Sequence, residues 1–385
     1  MPADDPKRPT ARARAAAAPA EPTPDAREPR LAAARAAAAA FLASLDRSAP
    51  VVVFCHFDAD GLAAGAVLGR ALPRLGFADV RVVHAGRTES AWSPEARERL
   101  AALRPAALVV ADLGVRHGEI LPGVPTLLVD HHQPDGAPPG AVVASGYGWE
   151  PTPTSSWLAW ELLAPLADLD DLAWIAAVGA VGDLGEKADW PVLATVRARH
   201  TAKWLKEAVA LVNAARRASA FDVATPLALL MRLSSPRELA EAPEAEPLRA
   251  YRAEVNAELA IARRKAPVFS ADNRWALLTM RSRAQIHPLV AQQWRGRLPN
   301  HVVIAANAGY VPDLVAFSAR TARGDLNLPA LLRAARPNDT TGRFGHGHDQ
   351  ASGGQLATAD FAALLRALGF AEAAVADAVA EPAAS

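Results

Sequence analysis

Four short segments carry side chains that could do chemistry together. Cys55-His56-Phe57-Asp58-Ala59-Asp60-Gly61 follows the apolar run Val51–Phe54, and Val110-Ala111-Asp112-Leu113-Gly114 closes another apolar run. Val129-Asp130-His131-His132 closes a third, and Val181-Gly182-Asp183-Leu184-Gly185 ends a helical pattern. Hard carboxylate oxygens with imidazole nitrogens suit a divalent metal such as Mn²⁺. Gathering carboxylates without a cation is costly, because like charges repel. Two ions about 3.5–4 Å apart can activate water and stabilise charge on a phosphodiester. Taken singly, each residue has a plainer use. Asp60-Gly61 fits a turn, Asp112 and Asp183 fit helix caps, and either histidine fits a hydrogen-bonded loop residue. The joint pattern is stronger than its parts.

The surrounding chain must bring these segments together. Val51–Phe54, Val80–His84, Ala107–Ala111, Leu127–Val129 and Ala141–Val143 read as short strands. Leu62–Leu75, Pro94–Leu103, 154–166 and 171–182 read as helices between or after them. This cadence predicts α/β units around a mostly parallel sheet. Sites in open α/β sheets form beyond the C-terminal strand ends, where three of the four segments fall. Asp183 follows no evident strand.

The four segments resemble the DHH phosphoesterases, a superfamily that includes RecJ-type single-strand exonucleases and nanoRNA or cyclic-dinucleotide phosphodiesterases. Asp58-x-Asp60-Gly61 resembles the first motif, Asp112 the second, Asp130-His131-His132 the third and Gly182-Asp183 the fourth. The resemblance implies two metals, most often Mn²⁺ with Mg²⁺ as the alternative, held by Asp58, Asp60, Asp112, His131 and Asp183. It implies that Asp112 bridges them, that His132 faces the substrate phosphate or supports a ligand, and that Asp130 orients a histidine. Water activated by the metals is then the attacking group. Some members carry histidine four positions before the first aspartate, where this chain has Phe54. His56 instead stands where several RecJ-like members carry aspartate, and it shares a strand side with Phe54. It is either a substitute ligand or a packed neighbour.

In the second half, Gly345-His346-Gly347-His348-Asp349-Gln350-Ala351-Ser352-Gly353-Gly354 reads as a glycine-rich turn whose amides could receive phosphate oxygens. It lacks the spacing of a dinucleotide-binding fingerprint. The segment resembles the glycine-histidine motif of the DHHA1 domain, and Phe317-Ser318-Ala319-Arg320 resembles that domain's Ser-x-Arg strand. By that resemblance Arg320, Gly347, His348 and Gly353 bind substrate phosphate, and Arg343, just before the glycine turn, is a weaker candidate for the same contact. Tyr310 suits either a base-stacking platform or a hydrophobic anchor.

Together these readings give an α/β protein: an N-terminal parallel-sheet DHH domain, a helical connector and a C-terminal α/β DHHA1-like domain. The expected boundaries are a mobile tail and leading helix at 1–45, the catalytic domain at 46–189, the connector at 190–268 and the substrate-binding domain at 269–385. Residues 1–30 are rich in proline and alanine and read as the tail. At ~100–200 residues per domain, 385 residues accommodate this division.

Composition narrows the function. The 41 basic and 41 acidic residues balance, which argues against a strongly basic DNA coat protein but not against a local basic groove. The single cysteine, Cys55, forms no intrachain disulfide and suits a reducing compartment. No run reads as a membrane span and the N-terminal residues do not read as a secretory signal, so the expected location is cytoplasmic. The expected activity is metal-dependent phosphodiester hydrolysis of single-stranded DNA or short oligonucleotides. The alternatives are a cyclic dinucleotide, nanoRNA or small nucleotide as substrate, or a catalytically silent nucleic-acid-binding scaffold.

Overall fold

The computed structural model describes residues 27–380 except 88, 186, 187, 189 and 336–343, and leaves the side chains of 345–348 undescribed. The tail expected at 1–30 therefore lies almost wholly outside the described residues. The leading helix, expected at 31–45, is α1 (Arg27–Ala43).

β1 (Val51–Cys55) is apolar and buried at every position. Such a run belongs to a strand covered on both faces. Its residues alternate between two cores: Val51, Val53 and Cys55 enter one, Val52 and Phe54 the other. Beside it lie β2 (Val80–His84), β3 (Ala107–Ala111), β4 (Thr126–Asp130) and β5 (Val142–Ser145). All pair in parallel, in the order β2-β1-β3-β4-β5. The winding reverses between β1 and β3, which opens a crevice beyond their C-terminal ends.

Helices cover the sheet. α2 (Ala59–Arg74) packs small residues onto β1, and a Cβ at Gly65 would stand 2.6 Å from Cys55 Sγ. α4 (Ser155–Leu163) and α5 (Ala173–Leu184) join α2 in the larger core, while α3 (Pro94–Ala102) covers the other face. The middle of the chain is helical, as its composition predicts, from α6 (Pro191–Arg217) through α7 (Ala224–Arg232) and α8 (Pro236–Glu241) to α9 (Glu246–Ala262). No helix among the described residues is long and apolar enough to cross a membrane.

The second sheet is mixed. It contains β6 (Val268–Phe269), β7 (Trp275–Met280), β8 (Val302–Val311), β9 (Leu314–Thr321), β10 (Phe344–His348) and β11 (Ala351–Ala357), in the order β10-β11-β9-β8-β7-β6. Only β7 and β8 pair in parallel, across α10 (His287–Arg297). Alternation again divides two cores. Trp275 and Leu277 pack towards α11 (Leu328–Ala335), α12 (Thr358–Ala367) and α13 (Glu372–Val379). Ala276, Leu278 and Met280 pack towards α9 and α10. The α/β class and the two-sheet plan are as the sequence predicts.

The glycine-rich segment differs from its reading as a turn. It forms the β10–β11 hairpin, turning at Asp349-Gln350. β11 pairs antiparallel with β9, and a Cβ at Gly353 would lie 2.4 Å from Phe317 O. The glycine is thus required by close backbone approach within the sheet. Gly353→Ala should cost about 1–3 kcal/mol through overpacking, read as a lower midpoint in denaturant unfolding. An unchanged midpoint would show that the strands move apart freely.

Candidate metal centre

The crevice between β1 and β3 collects the side chains. His56 continues β1 by donating its N–H to Ala111 O at 3.0 Å. Asp58 then caps α2, its Oδ1 accepting from Asp60 N at 3.2 Å and Gly61 N at 3.1 Å. A Cβ at Gly61 would lie 2.4 Å from His56 Cβ and 2.6 Å from His56 O, so only glycine lets the helix start this close to the strand. Asp112, directly after β3, has φ +64°. Aspartate is among the few side chains that tolerate this left-handed region. Asp130 ends β4, and His131 and His132 follow it. Asp183 stands on the last turn of α5.

Asp112 faces two ways. Its Oδ2 lies 3.4 Å from His56 Nδ1, which also has Asp58 Oδ1 at 3.3 Å. Its Oδ1 lies 3.5 Å from His131 Nε2, which has Asp60 Oδ2 and Asp183 Oδ2 each at 3.8 Å. Ligand atoms of His56, Asp58 and Asp112 fall within 4.8 Å of one another, as do those of Asp112, His131 and His132. His56 Nδ1 is buried and makes no hydrogen bond. The carboxylates are near enough to attract it but misaligned to accept from it. Carboxylate oxygens and imidazole nitrogens converging without mutual hydrogen bonds fit divalent cations by donor chemistry. His56 thus lies among the donors, although it also touches Phe57, with ring centroids 4.1 Å apart.

His132 is held differently. Its Nδ1 lies 3.0 Å from Asp130 Oδ1. A carboxylate can only accept, so this nitrogen carries the proton. Asp130 also accepts from His132 N and, through Oδ2, from Gly114 N, both at 2.7 Å. It therefore ties the β4 end to the β3 end and fixes the His132 ring.

Charge crowding shifts the proton affinities. Burial opposes a charged His56, but Asp58 and Asp112 hold it up to about 10. Burial opposes a charged His131 too, and Asp112, Asp60 and Asp183 again raise it to about 10. Burial, then Asp112, pushes Asp60 up to about 7. Burial would raise Asp112 as well, yet His131 and His56 hold it well below the ordinary carboxylate range. Without metal, the two imidazoliums supply the positive charge that this acidic crevice demands.

No protein-family model matches the chain, and no curated protein matches it in sequence. Solved structures match in fold. RecJ from Thermus thermophilus in complex with Mn²⁺ is 22% identical with a TM-score of 0.67, covering 91% of this chain and 56% of that one. An exonuclease RecJ bound to manganese is 23% identical with a TM-score of 0.65, covering 91% and 97%. CDC45 from Entamoeba histolytica is 8% identical with a TM-score of 0.52, covering 89% and 97%. The chain has the RecJ-like DHH/DHHA1 fold. It spans just over half of the Thermus RecJ.

Within this RecJ-like fold, the described residues expected to bind phosphate lie on the second sheet, on β9, β10 and β11. Arg320 lies on β9, its Nε buried without a hydrogen-bond partner. Gly353 on β11 pairs with Ser318, while Gly347 and His348 on β10 pair with Ser352 and Ala351. Among the described residues, no hydrogen bond or ion pair links these positions to the acidic cluster. Arg343 and the His348 side chain lie outside the described residues. Tyr310 is buried, with the Arg87 guanidinium 4.7 Å from its ring centroid.

Sequence reasoning missed the start of α4. Ser155 N and Ser156 N donate to the two oxygens of Asp60, at 2.8 and 3.0 Å, and Ser156 Oγ donates to the same carboxylate. Ser155 Oγ donates to Asp112 Oδ1 at 2.8 Å. The helix N-terminus thereby stabilises a buried carboxylate that other acids destabilise. The signal was local: Thr154-Ser155-Ser156 before an apolar helical run is a capping pattern. Nothing local told that its amides face Asp60.

His56 and His131 must lose protons to ligate a cation, so Mn²⁺ binding near neutral pH should release protons and tighten as pH rises. Calorimetry in buffers of different ionisation heat checks this, and a buffer-independent heat would refute it. Ser155→Ala should weaken Mn²⁺ binding about 10–100-fold, as loss of a ligand's supporting hydrogen bond does. Unaltered affinity in the same titration would remove Ser155 from the site.

Proposed function

We propose that the chain is a metal-dependent phosphodiesterase acting on single-stranded DNA or short oligonucleotides. One observation carries the reading: Asp112 turns one oxygen towards each of two imidazole-containing donor sets. On this reading His56, Asp58 and Asp112 hold one divalent ion, and Asp60, Asp112, His131 and Asp183 hold the other. Manganese is the first expectation, magnesium the second. Such ions, when bound, polarise phosphate oxygens and make water a stronger acid. The manganese and magnesium complexes of RecJ proteins with this fold support the reading.

The remaining work falls to the chain. Asp130 keeps the proton on His132 Nδ1, which leaves Nε2 of this half-exposed ring to meet a phosphate oxygen. Residues 46–189 serve as the catalytic domain, 190–268 as the connector and 269–385 as the substrate domain. In the last, Arg320, Arg343, Gly347, His348 and Gly353 receive a terminal phosphate or nearby nucleotide. A guanidinium whose Nε is buried without a hydrogen-bond partner among the described residues, as that of Arg320 is, suits an incoming anion.

The test is Mn²⁺-dependent cleavage of end-labelled DNA and RNA, from dinucleotides to long strands, with Asp183→Ala alongside. Asp183 is 41% exposed, so its loss should leave the melting temperature nearly unchanged. Turnover should fall by more than about 100-fold, beyond the loss typical of a supporting residue. Stepwise shortening of long strands identifies an exonuclease. Cleavage confined to the shortest substrates identifies a small-nucleotide enzyme. Metal-independent strand binding without any turnover would mean a silent scaffold and sink the proposal.

A further inference from the structure

The two edges of the first sheet are used differently. At the β2 edge, Arg87 reaches Tyr310 of the second sheet, 4.7 Å from its ring centroid. The β5 edge lies opposite, and there the chain leaves the sheet beside the metal centre. The last rung of the β4–β5 ladder pairs Asp130 with Ser145, and Gly146 N donates to Asp130 O at 2.8 Å. Tyr147 therefore emerges at the strand end from which His131 and His132 emerge. Neighbouring strands lie about 4.8 Å apart, so the residues after Ser145 and after Asp130 start within a side-chain length of each other. None of the motifs read from sequence includes Tyr147.

The loop from Gly146 to Thr154 is tied along its length. A Cβ at Gly146 would lie 2.2 Å from Pro153 Cγ, so the two limbs of the loop are in contact. Tyr147 N donates to Ser145 Oγ at 3.2 Å, and Trp149 N donates to Gly146 O at 3.2 Å. Thr152 Oγ1 donates to Trp149 O at 3.1 Å. Arg30 of α1 donates to Gly148 O at 2.9 Å. Thr154 is buried and caps α4, whose Ser155 and Ser156 hold Asp112 and Asp60. One end of the loop thus rests on Asp130 and the other on two buried carboxylates of the centre.

The two aromatic residues of this loop have opposite surroundings. Trp149 is 6% exposed and belongs to the larger core. Tyr147 is 49% exposed, more than any other aromatic residue described. Among the described residues its ring meets no other ring and its hydroxyl makes no hydrogen bond. Single exposed apolar side chains are ordinary on a surface. A ring on a loop braced from both ends, beside a metal centre, is a different case. The His132 side chain is 48% exposed, so a half-exposed imidazole and a half-exposed phenol stand at adjoining strand ends.

We propose that Tyr147 is a platform on which a substrate base stacks while the adjoining phosphate lies at the metal centre. The inference rests on the phosphodiesterase reading and deepens it. The substrate class becomes phosphodiesters that carry a nucleobase, with little preference among bases, because every base has a π-face. The stacked base lies at the β5 edge, on the side of the centre away from the Arg87–Tyr310 contact. The ring makes the contact, and the hydroxyl is dispensable.

The test uses the full chain with Mn²⁺ and a set of trinucleotides, one intact and the others abasic at a single position. Tyr147→Ala should raise KM for the intact trinucleotide about ten-fold to a hundred-fold, as for loss of one base–aromatic stack. Its kcat should stay nearly the same, as when uniform binding is removed. Tyr147→Phe should keep the wild-type KM. Removing the stacked base should cost the wild type as much, and cost Tyr147→Ala nothing further. An unchanged KM in Tyr147→Ala overturns the proposal. So does a loss shared by Tyr147→Phe, or one accompanied by weaker Mn²⁺ binding or a lower melting temperature, since either marks a structural role. A trinucleotide with methylene in place of its bridging oxygens, carrying 2-aminopurine at each position in turn, reports stacking apart from turnover. Wild type and Tyr147→Phe should quench its fluorescence at one position, and Tyr147→Ala should not. Such quenching without cleavage of any trinucleotide supports the platform and rejects the phosphodiesterase reading. Absent quenching rejects the platform, whether or not the trinucleotides are cleaved.

Discussion

A single buried carboxylate sets the terms for the N-terminal half of this molecule. Asp112 is 4% exposed and sits in left-handed backbone at a strand end. Burying a lone ionised carboxylate is prohibitively costly unless charge and hydrogen bonds compensate it. Here His56 compensates one oxygen, while His131 and Ser155 compensate the other. The parallel sheet supplies His56, Asp112 and His131 from three adjacent strand ends, which only the β1–β3 reversal brings into one crevice. Asp130 then braces β4 against the loop after β3. Removing any of these supports leaves the others with unpaired charge.

The same logic explains the packing behind the crevice. Asp60 is 2% exposed and crowded by Asp112 and Asp183, so it needs donors from outside the acidic cluster. The first amides of α4 are unsatisfied by the helix itself and point outward. Placing that N-terminus against Asp60 solves two problems at once. It also fixes the height of α4 against α2, whose first turn carries Asp60. Gly179 on α5 completes the fit: a Cβ there would stand 2.2 Å from Ser156 Oγ and 2.8 Å from Asp60 Oδ1. Close helix packing and carboxylate placement are one constraint here.

How legible this was depended on range. The apolar strands and the residues ending them could be read because both signals are local. Val80–His84 and Ala107–Ala111 were read to their observed limits, and Val51–Phe54 to within one residue. Asp183 was legible only by resemblance, because a helix end has no strand pattern to announce it. The β10–β11 hairpin was misread as a turn because glycine lowers β propensity, whereas tertiary pairing with β9 favours glycine by steric fit. The α4 amides on Asp60 and the Arg87–Tyr310 contact join residues far apart in sequence. No periodicity encodes such pairs.

Net charge was the least informative number in the chain. A balance of 41 against 41 says nothing about where the charges lie. The structure segregates them. Carboxylates crowd the β1–β3 crevice, whereas Arg87, against the Tyr310 ring, has no carboxylate partner among the described residues. Fields between low-dielectric walls are focused rather than averaged. The crevice therefore keeps a field of one sign that the balanced total conceals. That local excess, more than the sum over the chain, is what the two imidazoles and the α4 amides must answer.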